Sequence, residues 1–307
     1  MEERRMKIVV AYDGSEFADA AINAMPRAGL PERAEAVVLS IDDGTLLSVG
    51  ELSEPLEEEA AEAMGGARRQ EAWAMARALE VAAWGRDRLG ALFPGWEIGA
   101  EGVAGSPTWG ILAKTDSWEP DLAILGSHGR SLLGRLFIGS VSQSIATEAR
   151  CSVHIARGRM GSGETPPRLV IGLDGSPDSL AAVAAVASRR WPAGTAVRLV
   201  VADAAHRAGG SVAVAPEEWG AGERALRMLR DAGLDAMMAA PHGRPAHALM
   251  EQADAWGAEC IFVGARGAGL LDRVRLGSVA ASVAARAGCS VEIVRSHNST
   301  SAGRAGE

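Results

Sequence analysis

Two stretches of the chain combine glycine and serine at a spacing suited to holding an anion. Gly126-Ser127-His128-Gly129 is separated by nine residues from Gly139-Ser140, and Gly264-Ala265-Arg266-Gly267 by nine residues from Gly277-Ser278. Each stretch leaves a short apolar run and leads into a segment of helical composition. Glycine permits positive φ and close approach of a ligand, and the N–H groups at the head of a helix face an anion. The implied chemistry is the cradling of a phosphate chain. Asp-Gly-Ser also occurs twice, at Asp13 to Ser15 and at Asp174 to Ser176. Such an aspartate can serve a ligand, or it can make a turn and cap the next helix. Ser140 and Ser278 have the same double potential, as N-caps and as phosphate ligands.

Chemistry beyond binding has little support. No GxxxxGK[ST] occurs, so the lysine and metal-binding hydroxyl of a P-loop are absent in that arrangement, and no Walker-type carboxylate can be assigned. His128 sits in a loop, where a solvated histidine is more common than a general base. His206, His242 and His247 lack metal-ligand spacing, and no nucleophile elbow is present. Cys151, Cys260 and Cys289 show no CxxC or Cys/His pattern and read as small core residues. The expectation is no catalytic residue and at most weak hydrolysis of a bound phosphate chain.

The motifs are doubled because the chain is. The 32 residues from Gly126 align without gaps on those from Gly264, with roughly half the positions identical. The offset of 138 also relates Gly105 to Gly243, Trp118 to Trp256 and Cys151 to Cys289. Near Asp13 and Asp174 it is 161, and Ile41 and Val201 differ by 160, so the first half carries about 23 extra residues between Ile41 and Gly105. Their best location is the acidic stretch Gly44 to Gly66. A repeat this long means two domains, expected at 1–158 and 167–296, with a Gly/Ser/Pro-rich linker from Gly158 to Pro167.

The elements that must position the motifs alternate. In the first half, strands are expected near Lys7–Ala11, Ala36–Ile41, Trp96–Val103, Leu122–Leu125 and Ser152–Ala156. In the second, they fall near Arg168–Leu173, Ala196–Val201, Leu234–Ala240, Cys260–Val263 and Ser290–Val294. Helices lie between them. One spans Arg68 to Leu92 with Trp73, Ala76, Leu79, Ala83 and Trp84 near one face, and another starts with Ser106 as N-cap and Pro107 in its first turn. Such alternation predicts an α/β fold: two tandem doubly wound domains, each a five-stranded mostly parallel sheet flanked by helices, binding ligands beyond the strand carboxyl ends.

Gly-x2-Gly-x9-Gly-Ser, with Asp-Gly-Ser after the first strand, resembles the ATP-binding class of universal stress proteins over both halves, so the chain resembles a tandem member. The resemblance implies strand order 3-2-1-4-5 and ATP as ligand, possible Mg or Mn accompanying it. Adenine is then expected at backbone groups of Ala11, Tyr12 and Ile41 in the first half, and of Gly172, Leu173 and Val201 in the second. Asp13 and Asp174 would lie beside ribose and phosphates or a metal ion. Ribose and phosphates would meet Gly126, Ser127, His128, Gly129, Arg130, Gly139, Ser140, Val141 and Ser142. The second-half equivalents are Gly264, Ala265, Arg266, Gly267, Gly277, Ser278, Val279 and Ala280. The two sites differ: Arg130 and Ser131 are replaced by Ala268 and Gly269, with Arg266, at the position of His128, as a potential compensation.

The resemblance further implies a nucleotide-dependent stress sensor or regulator, with the two halves paired through their fifth strands and a homodimer of chains as an option. The alternatives are a slow ATPase or related nucleotide-binding enzyme, and a scaffold with vestigial pockets. An adenylyl-transferase relative would show HxGH after strand one, where both copies have Asp-Gly-Ser. Composition narrows the partners. With 31 basic against 39 acidic residues the net charge is −8, which disfavours nucleic acid. No apolar run reaches the roughly 18 residues of a membrane span, and Met1 to Lys7 leads directly into Ile8 without a signal-peptide core, so a cytoplasmic protein is expected.

Overall fold

The computed structural model describes residues 4–43, 66–127, 138–157, 165–201, 216–267 and 276–296. Ile8, Val9 and Val10 of β1 (Met6–Ala11) are at most 1% exposed, as a parallel strand covered on both faces requires. The first half continues with α1 (Glu16–Ala24), a 3-10 turn (Met25–Arg27), β2 (Ala34–Asp42), α2 (Gly66–Leu92), β3 (Glu97–Ala104), α3 (Pro107–Trp118), β4 (Leu122–Gly126), α4 (Ser140–Glu148) and β5 (Ser152–Ala156). The second half contains β6 (Arg168–Leu173), α5 (Pro177–Ser188), β7 (Ala196–Val201), α6 (Pro216–Asp231), β8 (Asp235–Ala239), α7 (Pro245–Trp256), β9 (Cys260–Gly264), α8 (Ser278–Arg286) and β10 (Ser290–Val294). The acidic stretch at 44–65 and most of the expected linker, 158–164, lie outside the described residues.

The ten strands form one sheet in the order β3-β2-β1-β4-β5-β10-β9-β6-β7-β8. Each half has the expected 3-2-1-4-5 order with parallel neighbours, and the halves meet where β5 and β10 pair antiparallel. Each fifth strand thus covers the other's edge, which would otherwise offer unpaired backbone groups. On one face, beneath α3, α4, α7 and α8, a single apolar core runs across both halves and includes Ile145, Val153, Val283 and Val291. On the other face the core is divided: one part lies under α1 and α2, the other under α5 and α6. The three cysteines are buried and form no disulfide, and burial pushes the Cys151 thiol up to about 11.

The apolar face expected of α2 is not the buried one. Trp73, Leu79 and Trp84 are 37–48% exposed, whereas Ala74, Ala78, Val81, Ala82 and Leu89 are buried. The cause is close helix–sheet approach: a Cβ on Gly102 of β3 would lie 2.2 Å from the Leu79 nitrogen and 2.6 Å from the Met75 carbonyl oxygen. A helix seated this near its sheet has room beneath it chiefly for small side chains, and the large ones move to its flanks. Ser106 does stand at the N-cap of α3 with Pro107 following, but its hydroxyl makes no capping bond.

Strand register corrects one equivalence. Ala11 pairs with Leu39 and Gly172 with Val200, so the offset remains 161 through β2 and β7. Val201 therefore corresponds to Ser40, and the counterpart of Ile41 is Ala202, outside the described residues. A slip of one residue changes the face of a strand: Ile41 belongs to the continuous core, and Val201 to the core under α5 and α6.

Candidate functional site

β1 leads into α1 on one face of the sheet and β4 leads into α4 on the other; β6 and β9 do the same in the second half. A crevice opens at the carboxyl end of such a switch point. At its β1 edge, Gly14 and Gly175 have φ of 72° and 77°, a turn that few other residues adopt. The Asp13 Oδ1 accepts the Ser15 N–H at 3.0 Å, and Asp174 Oδ1 accepts the N–H and hydroxyl of Ser176 at 3.0 and 2.6 Å. The helix caps are the serines, not the aspartates: Ser15 accepts from Ala18 and Ser176 from Ser179.

The opposite edge is built from the glycine motifs. Gly139 and Gly277 are the N-caps of α4 and α8, so Ser140 and Ser278 sit one position further in than expected. A glycine has no side chain with which to cap, and neither helix has a side-chain cap bond. The first-turn N–H groups of Ser140, Val141 and Ser142, and of Ser278, Val279 and Ala280, are thus positioned as donors at the helix head. Gly139 N–H donates to the Ser127 carbonyl at 2.9 Å and Gly277 N–H to the Ala265 carbonyl at 2.7 Å, tying each helix to the end of its strand. In the first half Ser142 Oγ adds a bond to the Gly126 carbonyl at 2.8 Å. In the second, Gly264 is held by crowding, since a Cβ there would lie 2.5 Å from the Ser179 nitrogen. A Cβ on Gly267 would stand 2.8 Å from Asp174 Oδ2, which brings the two edges of this crevice together. His128, Gly129 and Arg130 lie outside the described residues.

The residues at the strand ends divide by face. Ala11 and Ile41 pack on the continuous core. Tyr12 and Leu173 place their side chains in the cores on the opposite face, and the Tyr12 N–H is bonded to the Leu39 carbonyl at 2.9 Å. The Tyr12 hydroxyl donates to Asp19 at 2.7 Å, and burial together with that carboxylate raises its pKa above the ordinary value.

Two charged groups near the crevices belong to none of the repeated motifs. Asp42, at the end of β2, is 1% exposed and is gripped by Arg77 of α2 at 2.6 Å. Asp178, in the first turn of α5, is 2% exposed and accepts bonds from the Arg266 backbone and side chain and from the N–H and hydroxyl of Ser296. It staples the second glycine loop to the segment after β10, and Arg266 is thereby directed at Asp178. The one clue in the sequence was a difference between the repeats, because Phe17 stands at the equivalent first-half position. Burial pushes the Asp178 pKa up, but its bonds from Arg266 and Ser296 outweigh this and lower it below 3.8. Asp178→Asn is expected to cost about 1–3 kcal/mol above that pH. The loss should shrink as acid protonates the wild-type carboxylate, which urea midpoints measured across pH would show.

Among the described residues no group of three or more His, Cys, Asp or Glu could hold a metal ion, and no helix is long and apolar enough to cross a membrane.

The model of the universal stress protein family matches residues 4–157 and again 167–295. A Thermus aquaticus protein, described as "Universal stress protein in QAH/OAS sulfhydrylase 3'region", is 31% identical over 150 residues, 49% of this chain and 97% of its own length. A universal stress protein from Archaeoglobus fulgidus superposes with a TM-score of 0.62 over 94% of this chain and 98% of that one, at 18% identity. A universal stress protein solved in complex with cAMP is 29% identical and covers 43% of this chain and 98% of its own, with a TM-score of 0.33.

Proposed function

The chain belongs to the universal stress protein family, matching it in both halves, and from that premise we propose that it binds adenine nucleotide and acts as a nucleotide-dependent sensor or regulator in the cytoplasm. The observation that carries this reading is the paired helix head at each switch point: α4 and α8 start at glycines, without side-chain caps, beside an Asp-Gly-Ser turn. Phosphates would be met by first-turn N–H groups, and ribose by the glycine loops. A divalent ion fits only as a companion of the nucleotide. Each crevice offers one motif aspartate, Asp13 or Asp174, and Mg sites of this kind are completed by phosphates and water. These residues would bind and orient, and the sequence has no GxxxxGK[ST] to supply a P-loop lysine for hydrolysis.

The first crevice is proposed as the tighter. The second lacks counterparts of Arg130 and Ser131, and its Arg266 is engaged by Asp178. Small molecules released by heating the purified chain should include adenine nucleotide. In competition titrations Gly129→Ala should remove the stronger binding phase and Gly267→Ala the weaker. A chain that is empty and also ignores added ATP refutes the nucleotide proposal. Loss of the stronger phase only in Gly267→Ala reverses the order of the sites.

A further inference from the structure

One face of the sheet joins the two halves by contacts that repeat about a pseudo-twofold axis; the other does not. On the continuous-core face, Arg157 donates to the Ala284 and Ala287 carbonyls of the second half. Its equivalent Arg295 donates to the Ala146 and Cys151 carbonyls of the first. Arg157 N–H bonds Ser290 Oγ, and Arg295 N–H bonds the equivalent Ser152 Oγ. Such contacts would form equally between two copies of either half.

The divided-core face breaks the equivalence. β5 and β10 set His154 opposite Glu292, and these are equivalent positions, so the axis passes between them. His154 Nδ1 lies 3.1 Å from Glu292 Oε2, while Arg189 grips both carboxylate oxygens. Two first halves would set imidazole against imidazole, and two second halves carboxylate against carboxylate. Arg189 also donates to the Ala28 carbonyl. Ala28 and Arg189 close the same turn in the two halves, through their N–H bonds to Met25 and Val186, so two second halves would bring their Arg189 guanidinium groups together.

Shape discriminates as well. Trp191 lies flat against Gly29, where a Cβ would stand 2.7 Å from the indole and φ is +66°. The second-half counterpart of Gly29 is Arg190, so a second half carries a side chain where a like partner's Trp191 must fit. Two first halves fail differently: Leu30 replaces Trp191 and leaves a gap above Gly29. In such a pair Arg27 would exchange Glu259 for Asp121, which Arg4 and the Lys7 N–H already hold.

We infer that this face is a selectivity lock, by which each half accepts the complementary half and rejects its own copy, confining fifth-strand pairing to one first half with one second half. The inference stands apart from nucleotide binding. To test it, a protease site is placed among residues 158–164 of the full-length chain, which is folded and then cut. Isotope-labelled and unlabelled preparations are mixed in urea at the unfolding midpoint, returned to buffer and weighed by native mass spectrometry. Every complex should contain one first half and one second half, including mixed-label pairs. Like-with-like complexes at the frequency of random association would overturn the lock. In a second arm, Gly29→Arg gives the first half the residue of the second. Its cut halves should separate on dilution where wild-type halves, and those of the exposed-pair variant Glu32→Ala, stay together. A Gly29→Arg complex that persists like wild type would overturn the steric part of the inference.

Discussion

Glu292→Ala should destabilise the chain by about 3–5 kcal/mol, the cost typical of removing one partner from a buried ion pair. Glu292 is fully buried, and Arg189 and His154 are nearly so. Without the carboxylate, the Arg189 guanidinium keeps, among the described residues, its bond to the Ala28 carbonyl and its seat 5.5 Å from the Phe262 ring. Urea or thermal unfolding would measure the loss. Glu32→Ala provides the contrast, since the Arg190–Glu32 pair is 73–77% exposed and such pairs contribute about 0–1 kcal/mol. Equal effects of the two substitutions would refute the role given to burial.

The same glutamate predicts a pH dependence. Burial alone would raise its pKa, but the Arg189 charge and the bonds from His154 and Arg189 prevail and hold it at about 2, against an ordinary 4.5. A depressed folded pKa contributes stability that is complete above the unfolded value and lost as pH falls from there toward the folded one. Wild type should therefore lose stability between about pH 4.5 and 2 in part through this group, and Glu292→Gln should flatten that part of the profile.

Gly102→Ala should cost about 1–3 kcal/mol by overpacking, although it adds one methyl group. The methyl would meet the Leu79 nitrogen and the Met75 carbonyl oxygen, backbone atoms of α2 with no rotamer to change. α2 would have to lift, and Arg77, between those residues, would be drawn from the buried Asp42. On the same strand, a Cβ on Gly99 has its nearest neighbour at an ordinary 3.8 Å. Gly99→Ala should change stability by no more than about 0.5 kcal/mol. Chemical denaturation of the two variants side by side would decide, and a neutral Gly102→Ala would contradict the account of why α2 buries alanines.

Much of the fold was legible in the sequence because it rests on local patterns and on repetition. Apolar β-branched runs such as Ile8 to Val10 mark strands wherever they occur, and the doubled glycine motifs mark where strands hand over to helices. The duplication, the alternation of elements and the gathering of Asp13, Gly139, Asp174 and Gly277 at two switch points follow from these. Tertiary structure decided what depends on distance between segments. Trp73 and Leu79 look like core by composition, yet the closeness of Gly102 to α2 turns them to the flanks. Val201 looks equivalent to Ile41, yet strand pairing shifts it by one residue and so to the other face. Asp178 meets Arg266 and Ser296, and His154 meets Glu292 and Arg189, across separations of roughly a hundred residues that no local pattern spans. A charge records in sequence only that it exists; its partner, its burial and its pKa are set when the sheet brings distant strands together.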